Sequence, residues 1–147
     1  MPNDRSTTES LMHSHQQDLA LMTADEIVKV AEEKGKEFAQ NVKSSQLRNF
    51  FAHVVRLRTL YRTLQVQKGG GPLDEQECKR LCGHLLLLKP KLAYAKGRHR
   101  NLEQFYRFMV SAIDVVAKSE QCHAALENFF ALTEAVVAYH KFYGGRD

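Results

Sequence analysis

Apolar residues recur every three or four positions along most of this chain, and the rhythm breaks only at a few polar or glycine-rich points. That spacing puts one helical face against a core, at about 100° per residue. It first appears at Ile27, Val30, Ala31 and Phe38, directly after Thr23-Ala24-Asp25-Glu26. There a Thr and a Glu three residues apart read as a capping box, with acids in the first turn. The pattern predicts a first helix to about residue 40, with Gly35 its weak spot. Leu47, Phe50, Phe51, Val54, Leu57, Tyr61 and Leu64 form a longer second stripe. Ser44 or Ser45 is its expected cap, and it ends by Lys68 because Gly69-Gly70-Gly71-Pro72 breaks a helix.

A third helix is expected from Leu73–Asp74, where Asp74, Glu75 and Glu77 suit the positive end of a helix dipole. Its stripe is Cys78, Leu81, Cys82, Leu85, Leu88 and Leu92, with Gly97 at its end. Pro90 lies inside the pattern and predicts a kink or a division into two helices. Asn101 is the expected cap of a fourth helix, whose Leu102, Phe105, Met109, Ile113 and Val116 share a face. Ser119 is the expected cap of a fifth, which carries Leu126, Phe129, Phe130, Thr133, Val136, Val137 and Tyr143 up to Gly144-Gly145. No stretch alternates long enough to predict a strand. The fold class is therefore all-α: a compact bundle of about five helices, without a sheet and with mostly short loops. Residues 1–22 are polar apart from one cluster, Leu19 to Met22, and read as a mobile tail with at most a short helical turn. Residues 23–147 are then a single domain.

Composition narrows the function classes without naming one. The chain of 147 residues is 44% hydrophobic and 26% charged, which excludes wholesale disorder. No apolar run approaches the roughly 18 residues of a membrane span. The first 22 residues lack a basic segment followed by an apolar core, so no secretory signal is read. Three cysteines cannot all pair within one chain, which favours a reducing cytoplasm. The net charge of +4 hides an asymmetry. Residues 1–42 carry −4, residues 43–100 carry +10 and residues 101–147 carry −2. A basic middle third attracts polyanions whatever their sequence. On the second helix Arg48, Arg56 and Arg62 fall opposite the apolar stripe, and Arg58 lies at its edge. Lys89, Lys91, Lys96, Arg98 and Arg100 crowd the region around Pro90 and Gly97, with Tyr94 among them.

Several chemistries were weighed against plainer roles. His13 and His15 could touch a metal, but a solvated tail accounts for them. Cys78, Cys82 and Cys122 with His84 and His123 invite zinc, yet structural zinc usually needs two tight ligand pairs and only one spaced pair exists. Cys78 and Cys82 also sit on the apolar stripe, where free Cys behaves as a small hydrophobe. Arg48-Asn49-Phe50-Phe51-Ala52-His53 has the R-x4-H form, which resembles the catalytic motif of HEPN ribonucleases. In that chemistry Arg and His stabilise charge and move protons at a phosphodiester. Five residues turn a helix through about 500°, so these two side chains do not face each other on a straight helix. Nucleotide-hydrolase, zincin and lipase motifs are missing, as are the RNP aromatics and the KH signature.

Three segments taken together carry a more specific likeness. Lys43-Ser44-Ser45-Gln46-Leu47-Arg48-Asn49-Phe50, Leu88-Lys89-Pro90-Lys91-Leu92-Ala93-Tyr94-Ala95-Lys96-Gly97-Arg98 and Glu134-Ala135-Val136-Val137-Ala138-Tyr139-His140-Lys141 occur in that order. From about Thr23 to Gly145 the chain resembles the small subunit of the type III-A CRISPR effector, the Csm complex, with the middle motif the most specific. The resemblance implies a non-catalytic helical subunit without metal or cofactor, acting in cytoplasmic antiviral defence. It implies several copies stacked as an inner filament beside the backbone and large subunits. Those copies line the groove where crRNA and target RNA pair and help sense complementarity. Self-association is expected, with a homodimer as one form of the isolated chain, and no membrane contact. The resemblance points to Arg48, Lys91 and Arg98 as RNA-binding residues, with Lys43 and Lys96 beside them. The face argument adds Arg56, Arg58, Arg62, Lys89 and Arg100. The rival role for each is a salt bridge to a neighbouring subunit or to the chain's own acidic helices. A purely structural adaptor, whose basic face meets acidic protein, is the third reading beside RNA contact and the HEPN-like ribonuclease.

Overall fold

The computed structural model describes residues 19–146, among which there are six α-helices, two short 3-10 turns and no strand. Helix α1 spans Ala24–Asn41. The Thr23 hydroxyl accepts from the Glu26 N–H at 3.2 Å and the Glu26 carboxylate accepts from the Thr23 N–H at 2.9 Å, which closes the expected capping box. Helix α2 spans Ser44–Gln67 and is capped one residue earlier than expected, at Lys43. The Gln46 side chain accepts the Lys43 N–H at 3.0 Å, and the Ser44 N–H donates to the Arg146 carbonyl at 3.3 Å. Ser44 is thus the first helical residue rather than the cap, and the C-terminal backbone accepts its amide.

Helix α3 spans Glu75–Leu86 behind an Asp74–Glu77 capping box. Helix α4 spans Leu88–Arg98. Pro90 therefore divides the third stripe rather than kinking it, and it sits in the first turn of α4, where its missing N–H costs no helical hydrogen bond. Helix α5 spans Glu103–Lys118 and is preceded by the 3-10 turn Arg100–Leu102. Asn101 does not cap it. Its side-chain amide donates to the Asn41 carbonyl and to the Gln46 side chain, both at 2.8 Å, and so ties the ends of α1 and α2 to this turn. Ser119 does not cap α6 (Cys122–Phe142) either: its hydroxyl accepts from the Gln121 N–H at 3.1 Å in the connecting turn. Gly144, at φ +86°, ends α6 in the left-handed region that glycine favours.

The predicted stripes meet in one core. α1 packs along α6, α3 and α4 pack on α5, and α2 lies against α6 and α3. Phe38 is fully buried and meets Phe105 and Phe108 edge-on at 5.4 and 5.8 Å, while Phe50 meets Phe105 at 5.4 Å. Gly35, the expected weak spot of α1, is where that helix touches α6. A Cβ there would lie 2.5 Å from the Tyr139 Cβ and 3.0 Å from the His140 backbone nitrogen. Its helix-weakening entropy is the cost of that close approach. Behind it, buried His140 reaches the Val42 carbonyl at 2.7 Å.

Residues 19–22, read from polarity as part of the tail, form the short turn Leu19–Leu21 against α6. Leu19 and Met22 are buried, and the Asn128 side-chain amide donates to the carbonyls of Leu19, Ala20 and Met22 at 3.1–3.3 Å. His13 and His15 lie outside the described residues. No helix among the described residues is long and apolar enough to cross a membrane.

Candidate nucleic-acid interface

Helices α2 and α4 expose polar flanks to each other across a cleft of about 550 Å³. Gln46, Asn49 and His53 line it from α2; Pro90, Lys91, Tyr94, Ala95 and Arg98 line it from α4; His99 and Leu102 close one end. Positions 46, 49 and 53 follow the i, i+3, i+7 spacing of one helical face, next to the Leu47–Phe50–Val54 stripe that anchors α2. On α4, Leu88 and Leu92 are buried, so Lys91, Tyr94 and Arg98 are turned outward together. Tyr94 is 68% exposed, and the Arg98 guanidinium lies over its ring at 5.9 Å from the centroid. The result is a flat aromatic–cation platform one helical turn long.

The charged groups of the cleft bear on His53. Burial lowers the His53 imidazole below its ordinary value, and the Lys91 and Arg56 charges lower it further. His53 is therefore a neutral imidazole among cations. Among the described residues, neither Lys91 nor Arg98 forms an ion pair.

The ten expected RNA-binding residues separate into groups. Lys91 and Arg98 line the cleft, and the Arg56 charge reaches it through His53. Lys43 and Arg48 are exposed at the start of α2, with the Arg48 Nε donating to the Ser44 carbonyl at 3.4 Å. Arg62 is exposed farther along the same helix. Arg100 lines a different cleft, shared with Glu33, Glu37 and Glu103 on the α1 side. Other cations of the ten are paired with acids of the chain. Arg58 pairs with Glu134 on α6 at 3.1 Å, Lys89 with Asp114 on α5 at 2.7 Å, and Lys96 with Glu103 at 3.1 Å. Hydrogen bonding from Lys96, reinforced by Arg107, holds the Glu103 carboxyl below its usual range. Gln46, Asn49 and His99 went unnoticed in the sequence; the polar i, i+3 pair at 46 and 49 was the available signal.

The two halves of the R-x4-H pattern diverge. His53 opens on the cleft, whereas Arg48 turns back toward its own helix start and does not line the cleft. His123 is engaged by the Tyr61 hydroxyl, with ring nitrogens at 2.8 and 3.1 Å, and that hydroxyl donates to Glu127 at 2.8 Å. Cys78 and Cys82 are buried on the α3 stripe and His84 is exposed. Among the described residues, no group of three or more His, Cys, Asp or Glu side chains is arranged to hold a metal ion.

Among known families, the one described as Csm2 Type III-A matches residues 22–146. No curated protein and no solved structure matches the chain.

Proposed function

Because the chain belongs to the Csm2 Type III-A family, and so is a small structural subunit of a type III-A CRISPR effector, we propose that its α2–α4 cleft contacts RNA within that complex. The observation that carries this reading is the convergence of Lys91, Arg98, Tyr94 and His53 on one open cleft. Two of the three motif segments meet there. A subunit that follows any guide–target pairing must hold phosphates and 2′-hydroxyls, since base-edge contacts would tie it to one sequence. Lys91 and Arg98 supply charge for phosphates, and Gln46 and Asn49 supply hydrogen-bonding groups at the spacing of one helical turn. The exposed Arg48, Arg56 and Arg62 extend the positive track along α2. Arg58, Lys89 and Lys96 hold the fold in this reading, because moving them to RNA would take their salt bridges from Glu134 and Asp114 and leave Glu103 with Arg107 alone.

The subunit takes its place as one of several copies along the crRNA–target duplex, beside the backbone and large subunits, in cytoplasmic antiviral defence. It supports complementarity sensing without chemistry of its own. A few phosphate contacts per copy give modest, salt-sensitive binding, and stacked copies on one RNA raise the effective concentration.

The test is Lys91→Glu with Arg98→Glu in the assembled effector. Target RNA should be held at least about tenfold more weakly at low salt, with the log–log salt slope reduced by about one per lost contact. The complex should assemble as before. Unchanged RNA affinity in an intact complex would overturn the proposal. Failure of assembly with normal RNA affinity for whatever complex forms would favour the structural adaptor.

A further inference from the structure

A second cleft, of about 880 Å³, lies between α3 and the start of α6 and is lined by all three cysteines of the chain. The Cys82 and Cys122 sulfurs are 3.2 Å apart, although forty residues separate them in sequence. Cys78, one turn earlier on α3, belongs to the same cluster. All three are free thiols, Cys78 and Cys82 buried on the stripe and Cys122 half-exposed at the first residue of α6. Core packing accounts for Cys78 and Cys82, and Cys122 also packs on the edge of that core. Cys122 differs in staying half-exposed on the cleft while its sulfur sits within hydrogen-bonding distance of Cys82.

We propose that Cys82 and Cys122 form an oxidative modification site, a dithiol that reacts with low-molecular-weight disulfides through this cleft and closes reversibly into an α3–α6 cross-link. A disulfide bond is about 2.05 Å long, so the two sulfurs stand about 1 Å beyond bonding distance. The hydrogen bond between the two sulfurs, which either thiol can donate, favours the Cys82 thiolate and disfavours that of Cys122, while burial raises Cys78, so Cys82 is the first nucleophile. The Cys82 thiolate attacks one sulfur of the external disulfide and expels one small thiolate, leaving a mixed disulfide. Cys122 then gives up its proton and attacks the Cys82 sulfur, expelling the second thiolate. Two electrons pass from the protein pair to the external disulfide, and the two protein protons end on the two small thiols. A reducing dithiol reverses both steps.

The experiment treats the folded full chain with oxidised glutathione and maps disulfides by peptide mass spectrometry, with remaining thiols counted in denaturant. The expected product lacks two hydrogens, joins the Cys82 and Cys122 peptides, and keeps one free thiol, at Cys78. Its Tm should rise by roughly 10 °C, because the cross-link restrains a long loop in the unfolded chain. Cys78→Ser should still form the link, and Cys122→Ser, at the half-exposed position, should not. As a check independent of oxidation, a trivalent arsenical should bridge the reduced pair one-to-one in the parent and not in Cys122→Ser. A Cys78–Cys122 link, glutathione adducts without closure, or three unreacted thiols in the folded chain would each overturn the proposal.

Discussion

Two seams of this bundle are built from the same three–four rhythm and end up opposite in character. Between α1 and α6 the helices close until Gly35 meets the Tyr139 Cβ, and His140 behind them spends its ring nitrogen on the Val42 carbonyl. Between α2 and α4 the flanking residues are Gln46, Asn49, His53, Lys91 and Arg98, and a cleft of about 550 Å³ stays open. The buried stripes are unequal: α1 and α6 bury six and eight residues, whereas α4 buries only Leu88 and Leu92. The residues just beside the stripe widen that difference. A hydrogen at Gly35 lets two backbones meet, whereas long polar side chains at the α2–α4 flank hold two helices apart and keep their hydrogen-bonding groups for an outside partner.

The closed side of the core, where α1 meets α5 as well as α6, should be the easier to break. Phe38→Ala empties an aromatic site between α1 and α5 and should cost about 3–5 kcal/mol in urea unfolding. Gly35→Ala adds a single methyl group at the α1–α6 contact. Although alanine suits helices better, the substitution should still cost about 1–3 kcal/mol, because the opposing atoms are a Cβ and backbone rather than a flexible side-chain end. A gain in stability would mean the two helices can separate cheaply, and the contrast between the seams would fail.

Smaller effects sharpen the contrast from the open side. Lys91→Ala should weaken target RNA binding several-fold with stability changed by less than about 0.5 kcal/mol, whereas Lys89→Ala, two residues away, should leave RNA affinity nearly unchanged and lower Tm. Equal effects on RNA from both lysines would dissolve the distinction between cleft cations and paired cations. The smallest expected effect is that of His53. Its pKa is held below the ordinary 6.5, so the folded chain binds fewer protons than the unfolded one. Its stabilising contribution is complete above pH 6.5 and is lost as pH falls through the lowered value. An RNA phosphate in the cleft reverses the bias and favours the imidazolium. Binding should therefore take up a proton, and RNA affinity should rise on acidification from pH 8 toward 6. His53→Gln should flatten both trends, as read by thermal melts and RNA titrations across that range.

Helix existence was legible because local signals agreed with tertiary demand: Thr23 and Asp74 caps, the Gly69–Pro72 breaker, and stripes whose main members are buried. The misreadings share one cause. Asn101 and Ser44 have good local capping chemistry, but long-range contacts place them elsewhere: Asn101 in the turn bonded to Asn41 and Gln46, and Ser44 as the first helical residue bonded to Arg146. Gly35 looked like a weakness because the residue that explains it lies at the far end of the chain. The site was legible to the same degree. Lys91 and Arg98 could be found by motif and charge, but the acidic partners of Arg58, Lys89 and Lys96 sit on α5 and α6, which no pattern within α2 or α4 reveals.

The Asn128 amide, with its three carbonyl acceptors at residues 19–22, sets a practical rule for anyone shortening this protein. Trimming at Thr23, where the polarity pattern invites the cut, would remove buried Leu19 and Met22 and strand a half-buried amide. Cutting ahead of Leu19 keeps that plug in its socket. A pair of truncations differing by those four residues would show how much of the fold hangs on one asparagine.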